Sequence, residues 1–260
     1  SSRRFIGDMD YPSGYYSETV NLFREVNTDF LISFDKGFGQ NFHFSLNFGG
    51  NRMDRVTQQN VGTAPELAVP GVYNVANSAV TPTTSNYYSA KRMNSLYGFG
   101  QLGFKNALFV DFSVRNDWSS ALPAKHNSYL YPSVSLSGVI TDLLGIKSDV
   151  LSFAKVRASW AQVGGDTGPF SLAPTVAFGS GWNASPKLLN LGVPNVLPNA
   201  LLKPQKNNSL EFGADLRFFL DRIRLDVTYY TQKALNQIVD VPISPASGYT
   251  AKTVNAGEID

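Results

Sequence analysis

Cysteine is absent from these 260 residues, and histidine occurs only as His43 and His126. The first absence excludes a disulfide framework and thiolate chemistry, and the two together leave no His/Cys set for a zinc site. Charge is scarce: 16% of residues are Asp, Glu, Lys or Arg, against about 25% in ordinary soluble domains. The 22 basic and 20 acidic residues nearly cancel, and without a block of Lys and Arg there is no electrostatic footprint for nucleic acid. No run comes near the roughly 18 apolar residues that a helical span requires. That absence excludes helical spans only, because a membrane strand alternates lipid-facing and lumen-facing residues and averages to neutral hydropathy; the mean hydropathy here is -0.13. An initiator Met, a signal peptide and a capped terminal element are also lacking, so the chain is expected to be part of something longer.

What is present is aromatic residues, 13% of the chain, with 18 Phe and 12 Tyr, set in a pattern of period two. From Phe42 to Phe48 every even position is large and apolar and every odd one polar, the mark of a half-buried strand. Phe30, Ile32 and Phe34 do the same before it, with residues 36 to 41 as the hairpin. A second pair runs from about Met93 to Phe104 and from Ala107 to Trp118 around Lys105-Asn106. A third runs from about Ser128 to Thr141 and from Phe153 to Gly164, and Asp142 to Leu151 between them could form one helical turn. The fourth sets Leu210, Phe212, Ala214, Leu216 and Phe218 against Ser209, Glu211, Gly213, Asp215 and Arg217, turns at Asp221-Arg222, and returns through Ile223, Leu225, Val227 and Tyr229. The reading is all-β, with about eight antiparallel strands.

Most of these strands reach the 9 to 11 residues with which a tilted strand crosses a bilayer. Their polar face carries Glu211, Asp215, Arg217, Arg224 and Asp226. In a soluble sandwich that face would be solvated and the apolar face would be core; in a membrane barrel the apolar face meets lipid and the charged face lines the lumen. Short turns at 36 to 41, 105 to 106 and 221 to 222 alternate with long connections at about 53 to 92, 119 to 127, 165 to 205 and 239 onward, and only the 142 to 152 connection, about as long as the loop before it, breaks the contrast. Segregated turn lengths are the arrangement of outer-membrane barrels.

Catalytic signatures are weak. There is no Gly-x-Ser-x-Gly, and His43 and His126 read as ordinary polar residues. Asp8 to Gly14 resembles the start of a calcium loop but lacks its Gly at position 6, and Thr19 stands where a bidentate Glu belongs. We therefore expect no enzyme, no metal and no cofactor. Clusters such as Tyr129 with Tyr131, Trp118, Trp160, and Tyr229 with Tyr230 lie near strand ends, as interfacial girdles or as cross-strand packing. Tyr73, Tyr87, Tyr88, Trp182 and Tyr249 are assigned to loops, where each stacks on a sugar ring, contacts a partner, or packs within its own loop.

Several motifs occur in order: Ser113-Val-Arg-Asn-Asp117-Trp-Ser-Ser120, Tyr131-Pro-Ser-Val-Ser135, Lys155-Val-Arg157-Ala-Ser-Trp160-Ala-Gln-Val-Gly164, Leu202-Lys-Pro204 leading to Ser209-Leu-Glu211-Phe-Gly213, Leu225-Asp-Val-Thr-Tyr-Tyr230, and Val254-Asn-Ala-Gly-Glu-Ile259. This series resembles the barrel of SusC/RagA-type TonB-dependent outer-membrane transporters, most densely from 93 to 260. Gln205 stands where the family usually has Glu, Trp118 and Gly138 replace a common Gly and Trp, and Ala234 and Asn236 replace a Thr and an Asp.

The resemblance implies that residues 1–260 are part of the transmembrane barrel domain of a 22-stranded importer, with the plug domain and TonB box outside this chain. It implies an outer-membrane protein that imports oligosaccharides or peptides with energy from the TonB complex, lidded by a SusD-like surface lipoprotein. The polar wall of Glu211, Asp215, Arg217, Arg224 and Asp226 would then line the path. A soluble carbohydrate-binding sandwich and a passive porin are the alternatives.

Overall fold

The computed structural model describes residues 2–5, 12–179 and 190–259. Its strands are β1 (Ser2–Phe5), β2 (Tyr15–Phe38), β3 (Phe42–Ala64), β4 (Thr83–Phe104), β5 (Leu108–Ser119), β6 (Ser128–Val139), β7 (Leu151–Gly165), β8 (Ala177–Gly179), β9 (Asn190–Gly192), β10 (Val196–Leu197), β11 (Gln205–Phe218), β12 (Ile223–Pro242) and β13 (Ala251–Ile259). One short helix, α1 (Ile140–Leu144), follows β6 and ends on Gly145 in the left-handed region. Among the described residues, eleven strands form one sheet in the order β1-β2-β3-β4-β5-β6-β7-β11-β12-β13-β10, while β8 and β9 form a separate pair.

Neighbouring long strands are antiparallel and sequential, so the sheet is a meander with a single extended excursion between β7 and β11. Tight turns close one end. Lys105 and Asn106 both adopt positive φ, 51° and 52°, the two-residue geometry whose twist matches that of the flanking strands. The β11–β12 turn is wider than Asp221-Arg222: Phe219, Leu220 and Asp221 are all left-handed, at 52°, 55° and 66°.

Two expectations are corrected. The long connection placed at 53 to 92 is strand over most of its length, because β3 runs to Ala64 and β4 starts at Thr83, leaving 65–82 as loop. The segment from 239 onward is also mostly strand: β12 continues to Pro242 and β13 pairs with it from Ala251. In the first place polar and apolar residues do not alternate, and in the second the left-handed Asn236 interrupts the period of β12.

The chain divides into two compact units, Ser1–Asn27 with Met53–Arg92, and Thr28–Arg52 with Met93–Asp260. In the first, Tyr16, Ala64 and Leu67 form a small buried core against which Tyr73 and Val75 pack. Its strands are laced by polar pairs: Asn21 with Gln59 at 2.9 Å, Glu25 with Arg55 at 2.8 Å, Asp54 with Arg92 at 2.5 Å and Ser17 with Thr63 at 3.0 Å. The Asn27 amide and the Arg55 guanidinium hold the Glu25 carboxyl below the usual carboxylate range. Glu25 lies thirteen residues before the end of β2 at Phe38 (38 minus 25), beyond the roughly 9 to 11 residues that one crossing takes.

In the second unit the register sorts side chains into rungs. Leu108, Gly138, Val156, Ala214 and Val227 lie opposite one another; so do Val110, Leu136, Ala158, Phe212 and Tyr229, and then Phe112, Val134, Trp160, Leu210 and Thr231. The intervening rungs carry the polar residues. The apolar rungs are open: Leu136 and Phe212 are both 48% exposed and Val227 is 54% exposed. No second large sheet covers them among the described residues, which removes the sandwich reading. A bare apolar face of this extent is unstable in water and solvated in lipid.

Candidate functional site

The polar face of β4 to β12 carries two clusters of arginine and carboxylate. In the first, Ser95, Asp117 and Tyr129 occupy one rung, and Tyr97, Arg115 and Tyr131 the next. Alternation along β5 puts Arg115 and Asp117 on the same side, and Arg115 Nε donates to Asp117 Oδ1 at 2.8 Å. The same guanidinium reaches diagonally to Ser95 Oγ at 2.8 Å and lies 5.5 Å from the centre of the Tyr97 ring. Tyr131 donates its hydroxyl to the other oxygen of Asp117. The Tyr129 and Tyr131 rings stack at 5.8 Å.

Above them Ser119 Oγ donates to Asp166 and accepts from the Ala121 amide at 3.2 Å. This clasps the β5–β6 connection to the segment after β7. Gly164 belongs to the same arrangement, because a Cβ there would overlap the Tyr129 ring. Asp117 is 3% exposed, Ser95 4% and Ser119 1%. Buried polar groups so completely bonded hold strands in register.

The second cluster is open. Arg157 on β7 lies directly opposite Gly213 on β11, which lies opposite Thr228 on β12. A Cβ at Gly213 would overlap the Arg157 side chain. With glycine there, the arginine crosses a whole strand and bonds Thr228 Oγ1 at 2.5 Å, Asp226 Oδ1 at 3.3 Å and Glu211 Oε1 at 3.3 Å. The Arg157, Glu211 and Asp226 side chains keep 34%, 42% and 59% exposure.

Of the five wall residues expected from sequence, Glu211 and Asp226 are thus brought together, through an arginine that the charge pattern of β11 and β12 does not single out. Asp215 pairs instead with Arg217 at 3.5 Å, whose guanidinium sits 4.4 Å from the Phe153 ring centre. Arg224 lies opposite Arg217 and is exposed. The signals that could have found Arg157 are its place on the polar side of Lys155-Val-Arg157 and the lone Gly213 amid large residues.

The aromatic candidates are dispersed. Tyr73 lies in the 65–82 loop with its ring 6.3 Å from that of Tyr16, part of a small core. Tyr87 and Tyr88 lie on β4 and not in a loop, 48% and 57% exposed. Tyr249 is half-buried after the 245–247 turn. Trp182 lies outside the described residues, as do residues 8 to 11 of the calcium-like segment. A cavity of about 340 Å³ under the loop after β7 is lined by Phe170, Pro194 and Pro198 together with Asp240 and Thr253, the last two joined at 2.7 Å.

Residues 2–260 match the family described as TonB dependent receptor-like, β-barrel. Two Formosa agariphila proteins are similar: TonB-dependent receptor P3, 26% identical over 94% of this chain and 24% of its own length, and TonB-dependent receptor P26, 24% identical over 93% of this chain and 25% of its own. The chain spans about a quarter of the length of these relatives. The fold superposes on the structure of the RagAB peptide transporter with a TM-score of 0.83, at 18% identity, covering 99% of this chain and 29% of that one. In the structure of the RagAB peptide importer in its open-open state the TM-score is 0.76 at 19% identity, over 99% of this chain and 28% of the other.

Proposed function

Because the chain belongs to the TonB-dependent receptor-like β-barrel family, and so forms part of the wall of an outer-membrane barrel, we propose that the full-length protein is a SusC/RagA-type active importer. Its cargo is oligosaccharide or peptide, and its energy comes from TonB acting on a plug outside this chain. The observation that carries the reading is the strict two-sidedness of β5 to β12: three uncovered apolar rungs suit lipid, and the charged rungs between them suit a watery lumen.

Glu211, Asp215, Arg217, Arg224 and Asp226 line the path in this reading, joined by Arg157. A wall of mixed sign with paired charges passes polar cargo without holding it tightly. A SusD-like surface lipoprotein closes the end that carries the long connections, and the ordered motif series supports that type. The similar RagAB protein is a peptide transporter, which favours peptide cargo, while exposed aromatic rings such as Tyr87 and Tyr88 suit glycans by stacking.

The test is uptake by the source bacterium of labelled oligopeptides and of labelled oligosaccharides, with the gene intact, deleted, or intact in cells whose TonB is inactivated. One cargo class should lose uptake in both altered strains. Flux that needs the gene but persists without TonB would overturn active import in favour of a passive porin.

A further inference from the structure

On β7 and β11 the outward, apolar face turns polar toward the long-connection end. Beyond the rung of Phe112, Val134, Trp160 and Leu210, the next outward positions are the still apolar Val114 and Pro132 on β5 and β6, and then Gln162 and Asn208 on β7 and β11. Gln162 Nε2 donates to Asn208 Oδ1 at 2.8 Å. Two residues further along β11 stands Lys206. There the surface opens into a cavity of about 480 Å³ whose lining includes Lys125, Lys203, Lys206, His126 and Leu130. No carboxylate lines it, and no ion pair among the described residues holds Lys125, Lys203 or Lys206. Its walls come from β6, β7, β11, β12 and adjoining loops, whose flanking strands β5 and β13 are both present, so it is not a product of a free edge.

We propose that this cavity binds the phosphate group of an outer-leaflet glycolipid, with its acyl chains lying down the apolar rungs below. Three lysines lining one cavity that no carboxylate lines, immediately above a lipid-facing band, complement an anionic headgroup. In an outer-membrane barrel the end with long connections faces outward, which places these lysines at the headgroup level of the outer leaflet. Leu130, Pro132, Gln162 and Lys206 place the site on the outward side of the sheet, with Tyr129 of the Asp117 cluster at its inner edge.

The experiment uses the full-length receptor purified in detergent and titrated with three probes: a diphosphorylated lipid A, the same lipid with both phosphates removed, and inorganic phosphate. The diphosphorylated lipid should bind at least about tenfold more tightly than either other probe, and added salt should weaken it. The triple variant K125Q/K203Q/K206Q should lose about tenfold or more, while K125R/K203R/K206R, which keeps the charge, should retain binding. Equal binding by the glutamine variant, or failure of the arginine variant while it is folded, overturns the site. Inorganic phosphate binding as tightly as the lipid overturns the lipid as its occupant. Nutrient uptake is a separate readout, so loss of one reading leaves the other standing.

Discussion

The two arginine–carboxylate clusters share one face of one sheet yet differ in enclosure. The Asp117 carboxylate is 3% exposed and bonded to Arg115 and Tyr131, with Arg115 itself 35% exposed; around Arg157, at 34%, the carboxylates are 42% and 59% exposed. The chemistry of the pairing is the same, so surroundings decide what each can do. A buried carboxylate is held rigidly because no solvent replaces a lost partner. An open one exchanges its partners with water or cargo at little cost. The first therefore fixes the register of β4, β5 and β6, and the second presents adjustable charge.

That contrast is most severely tested by Asp117→Ala. It removes the carboxylate that the Arg115 guanidinium and the Tyr131 hydroxyl share; because Arg115 keeps 35% exposure, water offsets part of the loss, and the full-length barrel should be destabilised by about 2–3 kcal/mol, read as a drop in its unfolding midpoint in detergent. A loss below about 1 kcal/mol would erase the distinction. Next comes Gly213→Val. Its side chain would occupy the space that Arg157 crosses, so the arginine must leave or the sheet must yield, at about 1–3 kcal/mol in the same unfolding assay. The effect should shrink in an Arg157→Ala background, because the displaced group is then already gone.

The sequence makes much of this wall legible, and the reason is the membrane. Where one face meets lipid, as in Val110-Phe112-Val114 or Leu210-Phe212-Ala214, alternation is enforced and strands can be placed to within a few residues. Where both faces meet water the constraint disappears: Asp54 and Arg55 stand on a long strand yet their segment reads as connection, and Glu25 and Asn27 lie on β2 ahead of the residues that alternation places. The clusters were legible in part. The charges of β11 and β12 were visible because they share a hairpin, but Arg157 joins them from a third strand, over a register that no local pattern reveals. The enclosure of Asp117 depends on Ser95 and Tyr131 arriving from either side, again a matter of register. The same lack of alternation before Met93 makes Tyr87 and Tyr88 read as loop residues although they stand on β4.

Arg157→Gln is the smallest change expected in stability and sharpens the contrast from the other side. Its partners are each more than two-fifths exposed, so water replaces the lost bonds and the unfolding midpoint should move by an amount equivalent to less than about 1 kcal/mol. Glu211 and Asp226 would then be two exposed carboxylates without the arginine that bridges them, which makes the local wall more negative. Uptake of anionic cargo should fall relative to neutral cargo of the same size, and salt should narrow the gap because exposed charges are screened. A variant with native stability and altered charge preference places Arg157 on the path. One with native stability and unchanged preference removes it from the path, and one that unfolds as readily as Asp117→Ala would mean that exposure does not separate the two clusters.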